Sequence, residues 1–135
     1  MMLVLGRGRT PVTDPIWEDV ANALMKFQPF ADGITLVRHG KERIHAQGAR
    51  LRLTIQYWAT DESRPMMVGY SSGGSTRPTL CGNRVLIGPR ETWTTDDALT
   101  VFLTFYEGKD LAQLYSLRDP GQQYSAEEIR EMIRV

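Results

Sequence analysis

Cysteine is almost missing from this chain: Cys81 is the only one in 135 residues. No disulfide can form within it, and a lone thiol suits a reducing compartment, so a cytoplasmic location is expected. Histidine is nearly as scarce, with only His39 and His45. A structural Cys/His zinc site would be short of ligands, and no metal or cofactor is implied. Long apolar runs are lacking too. The opening Met1-Met2-Leu3-Val4-Leu5 stops at Gly6-Arg7-Gly8-Arg9, short of the roughly 7–15-residue apolar core of a signal peptide. Nothing approaches the roughly 20 apolar residues that span a bilayer, so no membrane partner is expected. Net charge is also lacking, since 16 Lys and Arg balance 16 Asp and Glu. Binding to nucleic acid by bulk positive charge is therefore disfavoured.

What remains is an ordinary globular composition, 41% hydrophobic and 24% charged, at a length expected of one domain over 1–135. The charge is uneven along the chain. Residues 1–90 carry 12 Lys/Arg and 7 Asp/Glu, whereas 91–135 carry 4 and 9, giving +5 and −5. Arginine outnumbers lysine 13 to 3.

Periodicity divides the chain further. Residues 1–13 hold Gly6, Gly8 and Pro11 and read as an extended leader with a short strand at its start. Asp14-Pro15 opens a helix expected over 15–27, with Trp17, Val20, Ala21, Leu24 and Phe27 on its apolar face. Strands are expected at 34–38, 43–46, 50–58, 66–70 and 84–87. The third alternates most clearly, placing Leu51, Leu53, Ile55 and Tyr57 on one side and Arg50, Arg52, Thr54 and Gln56 on the other. Thr95 is read as the cap of a helix with Asp96 and Asp97 in its first turn, Ala98, Leu99, Phe102, Leu103, Phe105 and Tyr106 on its buried side, and Gly108 at its stop. A strand over 111–117 and a helix opened by a Ser125/Glu128 capping box complete the chain. The expectation is an α+β domain: an antiparallel sheet of about five to six strands with helices packed on one face, in the order helix, strands, helix, strand, helix.

Catalytic motifs are hard to find. Neither histidine stands at a spacing to Ser, Cys or Asp that marks an activated nucleophile. Cys81 lacks thiol-protease flanks and reads as a small half-buried hydrophobe. Ser71-Ser72-Gly73-Gly74-Ser75-Thr76 runs into Arg77-Pro78 where a P-loop needs Lys-Ser/Thr opening a helix. Glu127, Glu128 and Glu131 read as the solvated side of the last helix. Arg43, Arg50 and Arg52 share a sheet face, but beside Thr54 and Gln56, with the Tyr57 and Trp58 rings split between faces. No RNA-binding sheet motif accompanies them, so direct contact with nucleic acid is not expected.

Four stretches carry a family resemblance: Trp17-Glu18-Asp19-Val20, Val68-Gly69-Tyr70-Ser71-Ser72-Gly73-Gly74, Ala98-Leu99-Thr100-Val101-Phe102-Leu103, and Leu114-Tyr115-Ser116-Leu117-Arg118-Asp119. In this order, over roughly 15–119, the chain resembles the small bacterial immunity proteins of polymorphic toxin systems, the group commonly paired with deaminase and nuclease toxins. Those proteins often close near a Trp after the last strand, where this chain has Tyr115 and Arg118-Asp119. The resemblance implies a non-enzymatic protein that neutralises a cognate toxin domain by occluding its active site. Acidic groups complement the basic groove of a toxin that acts on nucleic acid, and Trp and Tyr make good anchors. The toxin-binding candidates are Asp96, Asp97, Glu107, Asp110, Asp119, Trp58, Trp93 and Tyr70, although helix-dipole compensation by itself accounts for acids at a helix start. The alternative is a small ligand-binding α+β domain or enzyme using the Arg50/Arg52 sheet face, where guanidinium forks would grip carboxylate or phosphate.

Overall fold

The computed structural model describes residues 1–6, 9–26, 33–38, 41–49, 52–60, 63–70, 79–80, 86–87 and 90–119. Their elements run β1 (Met2–Val4), β2 (Val12–Thr13), α1 (Trp17–Met25), β3 (Ile34–Val37), β4 (Arg43–Ala49), β5 (Arg52–Trp58), β6 (Met66–Gly69), β7 (Thr79–Leu80), β8 (Leu86–Ile87), α2 (Thr95–Tyr106), α3 (Leu111–Leu114) and β9 (Ser116–Arg118). Seven strands form one antiparallel sheet in the order β2-β1-β3-β4-β5-β6-β9, and β7 pairs with β8 separately. The class is α+β as expected, but the main sheet is wider than five to six strands. The leader accounts for part of the difference: Leu3 pairs with Val12 and Leu36 and is buried, so the first residues join the sheet.

Strand pairing places directly opposed residues on one face of the sheet. One face carries Leu3, Leu36 and Ile44 in a row, then Ile34, Ala46 and Ile55, then Val68 beside Leu117. Val20 and Leu24 from α1, Ala98, Val101, Phe102 and Phe105 from α2, and Leu111 from α3 join these residues in a single buried cluster. The helices thus cover one face, and among the described residues no helix lies on the other. In β5 the alternation holds, with Leu53 and Ile55 buried and Arg52 exposed. The β4 strand runs to Ala49, which pairs with Arg52, so only residues 50 and 51 connect these strands. Arg50 and Leu51, read as the start of the strand, lie outside the described residues.

Several helix ends differ from expectation for local reasons. Ile16, not Asp14, is the N-cap of α1, and the Asp19 carboxylate accepts its N–H at 3.2 Å. Asp14 has φ of 48° and donates its N–H to the Met1 carbonyl at 2.7 Å, closing the β1–β2 hairpin. The α2 cap is Thr94, whose hydroxyl accepts from the Asp97 N–H at 3.3 Å, one residue before the expected Thr95. Val101, absent from the expected face, is buried, while Leu99, Leu103 and Tyr106 are only partly so. Gly108 is the stop as expected: at φ of 79° it donates to Phe105 and lets Lys109 reach back to Thr104, a Schellman closure. The expected strand over 111–117 is divided, because Asp110 caps the Ala112 N–H at 3.0 Å and winds one turn of helix before β9. The expected final helix lies outside the described residues.

Candidate functional site

The candidate toxin-binding residues do not form one patch. Asp96 and Asp97 are exposed at the start of α2, whereas Glu107 and Asp110 are exposed beyond its other end. Twelve residues separate the ends of that helix, about 18 Å at about 1.5 Å per residue. Glu107 lies 3.1 Å from the Lys109 ammonium, and Asp110 is engaged as a cap. Asp119 is exposed directly after β9. Trp58 lies on the open sheet face, opposite the helices, and Trp93 is buried at 2% exposure. Trp93 is therefore a core residue and is unavailable as a surface anchor.

The start of α2 nevertheless brings three of the candidates together around Trp93. The Tyr70 ring stacks on Trp93 at 3.9 Å, and Tyr115 meets the indole edge-on at 5.7 Å. The Trp93 Nε1–H donates to the Val68 carbonyl at 2.9 Å. The Tyr70 hydroxyl donates to Asp97 Oδ2 at 2.6 Å, and its N–H donates to the Arg90 carbonyl at 2.8 Å. Burial, and then the Asp97 carboxylate, push the Tyr70 phenol well above its ordinary 10.0. A half-buried tyrosine is thus fixed by ring, hydroxyl and backbone beside the exposed Asp97 carboxylate. The sequence showed the pieces; their meeting depends on residues 90–93 returning along β5 and β6, with Leu53 and Trp93 exchanging backbone bonds at 2.8 Å in each direction.

A second polar cluster sits at the opposite end of α2, and Arg38 is its centre. Its Nη1 donates to the Phe105 and Lys109 carbonyls at 2.8 and 2.9 Å, and its guanidinium lies 4.1 Å from the Phe105 ring centroid. A cation there also complements the negative end of the helix dipole. Arg38 pairs with Glu42, which accepts from the Tyr57 hydroxyl. The Arg38 guanidinium holds the Glu42 carboxyl below its ordinary 4.5, against the opposing effect of burial. Burial, and then Glu42, push Tyr57 up to about 12. These contacts bind the end of α2 to β3 and β5. No sequence motif announces them, because the donor and its carbonyl acceptors stand 67 and 71 residues apart.

The open sheet face carries the remaining chemistry. Thr35, His45 and Gln56 form one row across β3, β4 and β5, and Val37, Arg43 and Trp58 form the next. The Arg43 guanidinium lies 4.7 Å from the Trp58 ring, and His45 meets Trp58 edge-on at 6.5 Å. The Thr35 hydroxyl and His45 Nδ1 are 2.7 Å apart. Gly33, at φ of 74°, packs against the imidazole so closely that a Cβ there would stand 2.5 Å from His45 Cε1. Of the arginines expected on this face, Arg43 and Arg52 are on it and Arg50 lies outside the described residues, as do His39, Cys81 and residues 71–78.

Burial lowers the His45 pKa from 6.5; a hydrogen bond with Gln47 opposes this, and the Arg43 charge reinforces it. The folded protein therefore binds this proton less readily than the unfolded chain. Its contribution to stability is fully present above pH 6.5 and is lost as pH falls from there through the lower folded value. Urea midpoints of the native protein should decline across that window, and those of His45→Gln should decline less. Parallel curves would assign the acid sensitivity elsewhere.

Among the described residues no three His, Cys, Asp or Glu side chains lie close enough to hold a metal ion, and no helix is long and apolar enough to cross a membrane. In comparison with known proteins, no family model, curated protein or solved structure matches the chain.

Proposed function

We propose that this chain is a non-enzymatic immunity protein that binds a cognate bacterial toxin domain of the deaminase or nuclease type and occludes its active site. The observation that carries this reading is the fixed Tyr70 bonded to Asp97, with Asp96 also exposed in the first turn of α2. An aromatic side chain already held in one rotamer loses little freedom on binding, which lowers the entropic cost of an interface. The two exposed carboxylates in the first turn of α2 would meet the basic groove of an enzyme that handles nucleic acid, and such complementarity acts mainly on association rate. The resemblance in Val68-Gly69-Tyr70 and Ala98-Leu99-Thr100-Val101-Phe102-Leu103 supports the same assignment.

The test is co-expression with the toxin encoded beside this gene, followed by binding kinetics on the purified pair. The native chain should restore growth, and Asp96→Asn/Asp97→Asn should weaken binding by about tenfold or more, chiefly through slower association at low salt. Tyr70→Phe keeps the ring stack, releases Asp97 and should lose less. Failure of the native chain to bind the toxin, or an unchanged association rate in the double variant, would remove the acidic start of α2 from the interface.

A further inference from the structure

The helix layer and the open sheet face differ in charge. The acids Glu18, Asp19, Asp96 and Asp97 all sit on helices α1 and α2, whereas the strands that build the sheet contain no Asp or Glu at all. The open face carries Arg43 and Arg52 instead, with a half-buried Trp58 at the end of β5 next to the row of Thr35, His45 and Gln56, and on β9 an Arg118 that is neutralised by Glu91. A neutral composition gives no bulk attraction for a polyanion, but this face is locally basic. Alternation along a single strand could not show that Arg43 lies against Trp58. The β4–β5 register does show it, by pairing residue 43 with residue 58.

We propose that the open sheet face binds a short single strand of nucleic acid along β5, one base stacking at the Arg43–Trp58 pair with its phosphate at Arg43, and a phosphate several nucleotides further on meeting Arg52, six residues and about 20 Å from Trp58 along the strand. Indole rings and guanidinium planes are the usual platforms for unpaired bases, and they tolerate any sequence because every base has a flat face. The amide of Gln56 in the next row, and the Gln47 amide and Thr54 hydroxyl in the row beyond, lie between Trp58 and Arg52 and can donate to and accept from base edges. An acidic protein segment would find the charge here. Protein hot spots, however, fill desolvated apolar pockets, and the two rows at Trp58 are mainly polar, with Thr35, Arg43, His45 and Gln56 beside the apolar Val37 and Met67.

End-labelled oligouridylate and oligodeoxythymidylate, read by fluorescence anisotropy at low salt, supply the test. Binding of either strand is expected, with a log–log salt slope of about −1.4 for two phosphates neutralised at about −0.7 each. Trp58→Ala should weaken it by about five- to 160-fold, the equivalent of about 1–3 kcal/mol for one stacked base, while Trp58→Phe should keep most of the affinity. Arg43→Lys keeps the charge without the planar group and should fall between them. A near-ultraviolet spectrum matching that of the native chain shows that each variant is folded. The proposal is overturned if neither strand binds at low salt, if folded Trp58→Ala binds as well as the native chain, or if polyglutamate of equal charge competes as strongly as the oligonucleotides. This assay reads the sheet face and the toxin assay reads the helix layer, so either can fail alone.

Discussion

Trp93→Ala should destabilise the protein by about 3–5 kcal/mol, the usual range when a fully buried large aromatic is truncated. Against a domain stability of about 5–15 kcal/mol, that is a substantial share of the total. The loss has three sources. The indole is buried, Tyr70 stacks on its face and Tyr115 meets it edge-on, and its N–H satisfies the Val68 carbonyl. Trp93→Phe keeps apolar contact with both rings but leaves the carbonyl without this donor, and should fall between native and alanine. Urea unfolding with an unchanged denaturant slope would read both losses as stability. The pair also separates structure from binding: a folded Trp93→Phe that still holds Tyr70 should keep its affinity for the proposed toxin partner, as expected of a support beneath the proposed interface. An alanine variant as stable as the native chain would show that the surrounding rings close over the gap.

The contrast between Trp93 and Trp58 shows what could be read from the sequence and what could not. Period and caps are local properties. The alternation of β5, the apolar stripe of α1 and the Gly108 stop were therefore legible, because each depends on neighbours a few residues away. Exposure of a tryptophan is not local. Trp93 is covered because residues 90–93 bond to β5 and β6, and Trp58 is left on the open face because of strand register. The division of the expected last strand has an intermediate cause. Asp110 was visible as an acid, but its use as a cap requires the chain to turn immediately after α2, which the Schellman closure at Gly108 brings about. The charge imbalance between the two parts of the chain was likewise legible. The fold distributes it unevenly: Asp97 at the start of α2 meets Tyr70, whereas Glu107 and Asp110 are carried to the far end of the helix.

The second large effect is expected at Glu91 and Arg118. The guanidinium binds both carboxylate oxygens, Nε to Oε2 at 2.9 Å and Nη2 to Oε1 at 2.8 Å, with 5% of the Glu91 side chain exposed and 17% of the Arg118 side chain. The pair joins β9 to the segment that leads into α2. Removing one member of a buried ion pair costs about 3–5 kcal/mol because the other charge stays desolvated, whereas replacing both with apolar groups of similar size is often nearly neutral. Arg118→Ala should therefore destabilise strongly. Glu91→Ala should destabilise less, since the charge it strands is the more exposed one. Glu91→Leu/Arg118→Met should cost far less than the two alanine losses added together. A double-mutant cycle on urea midpoints measures this coupling. Simple additivity would mean that the two groups act separately, and that β9 is held to the sheet by its pairing with β6. Strong coupling would make this bridge the contact that sets the closing strand against the approach to α2, and through it the position of Tyr70 and Asp97.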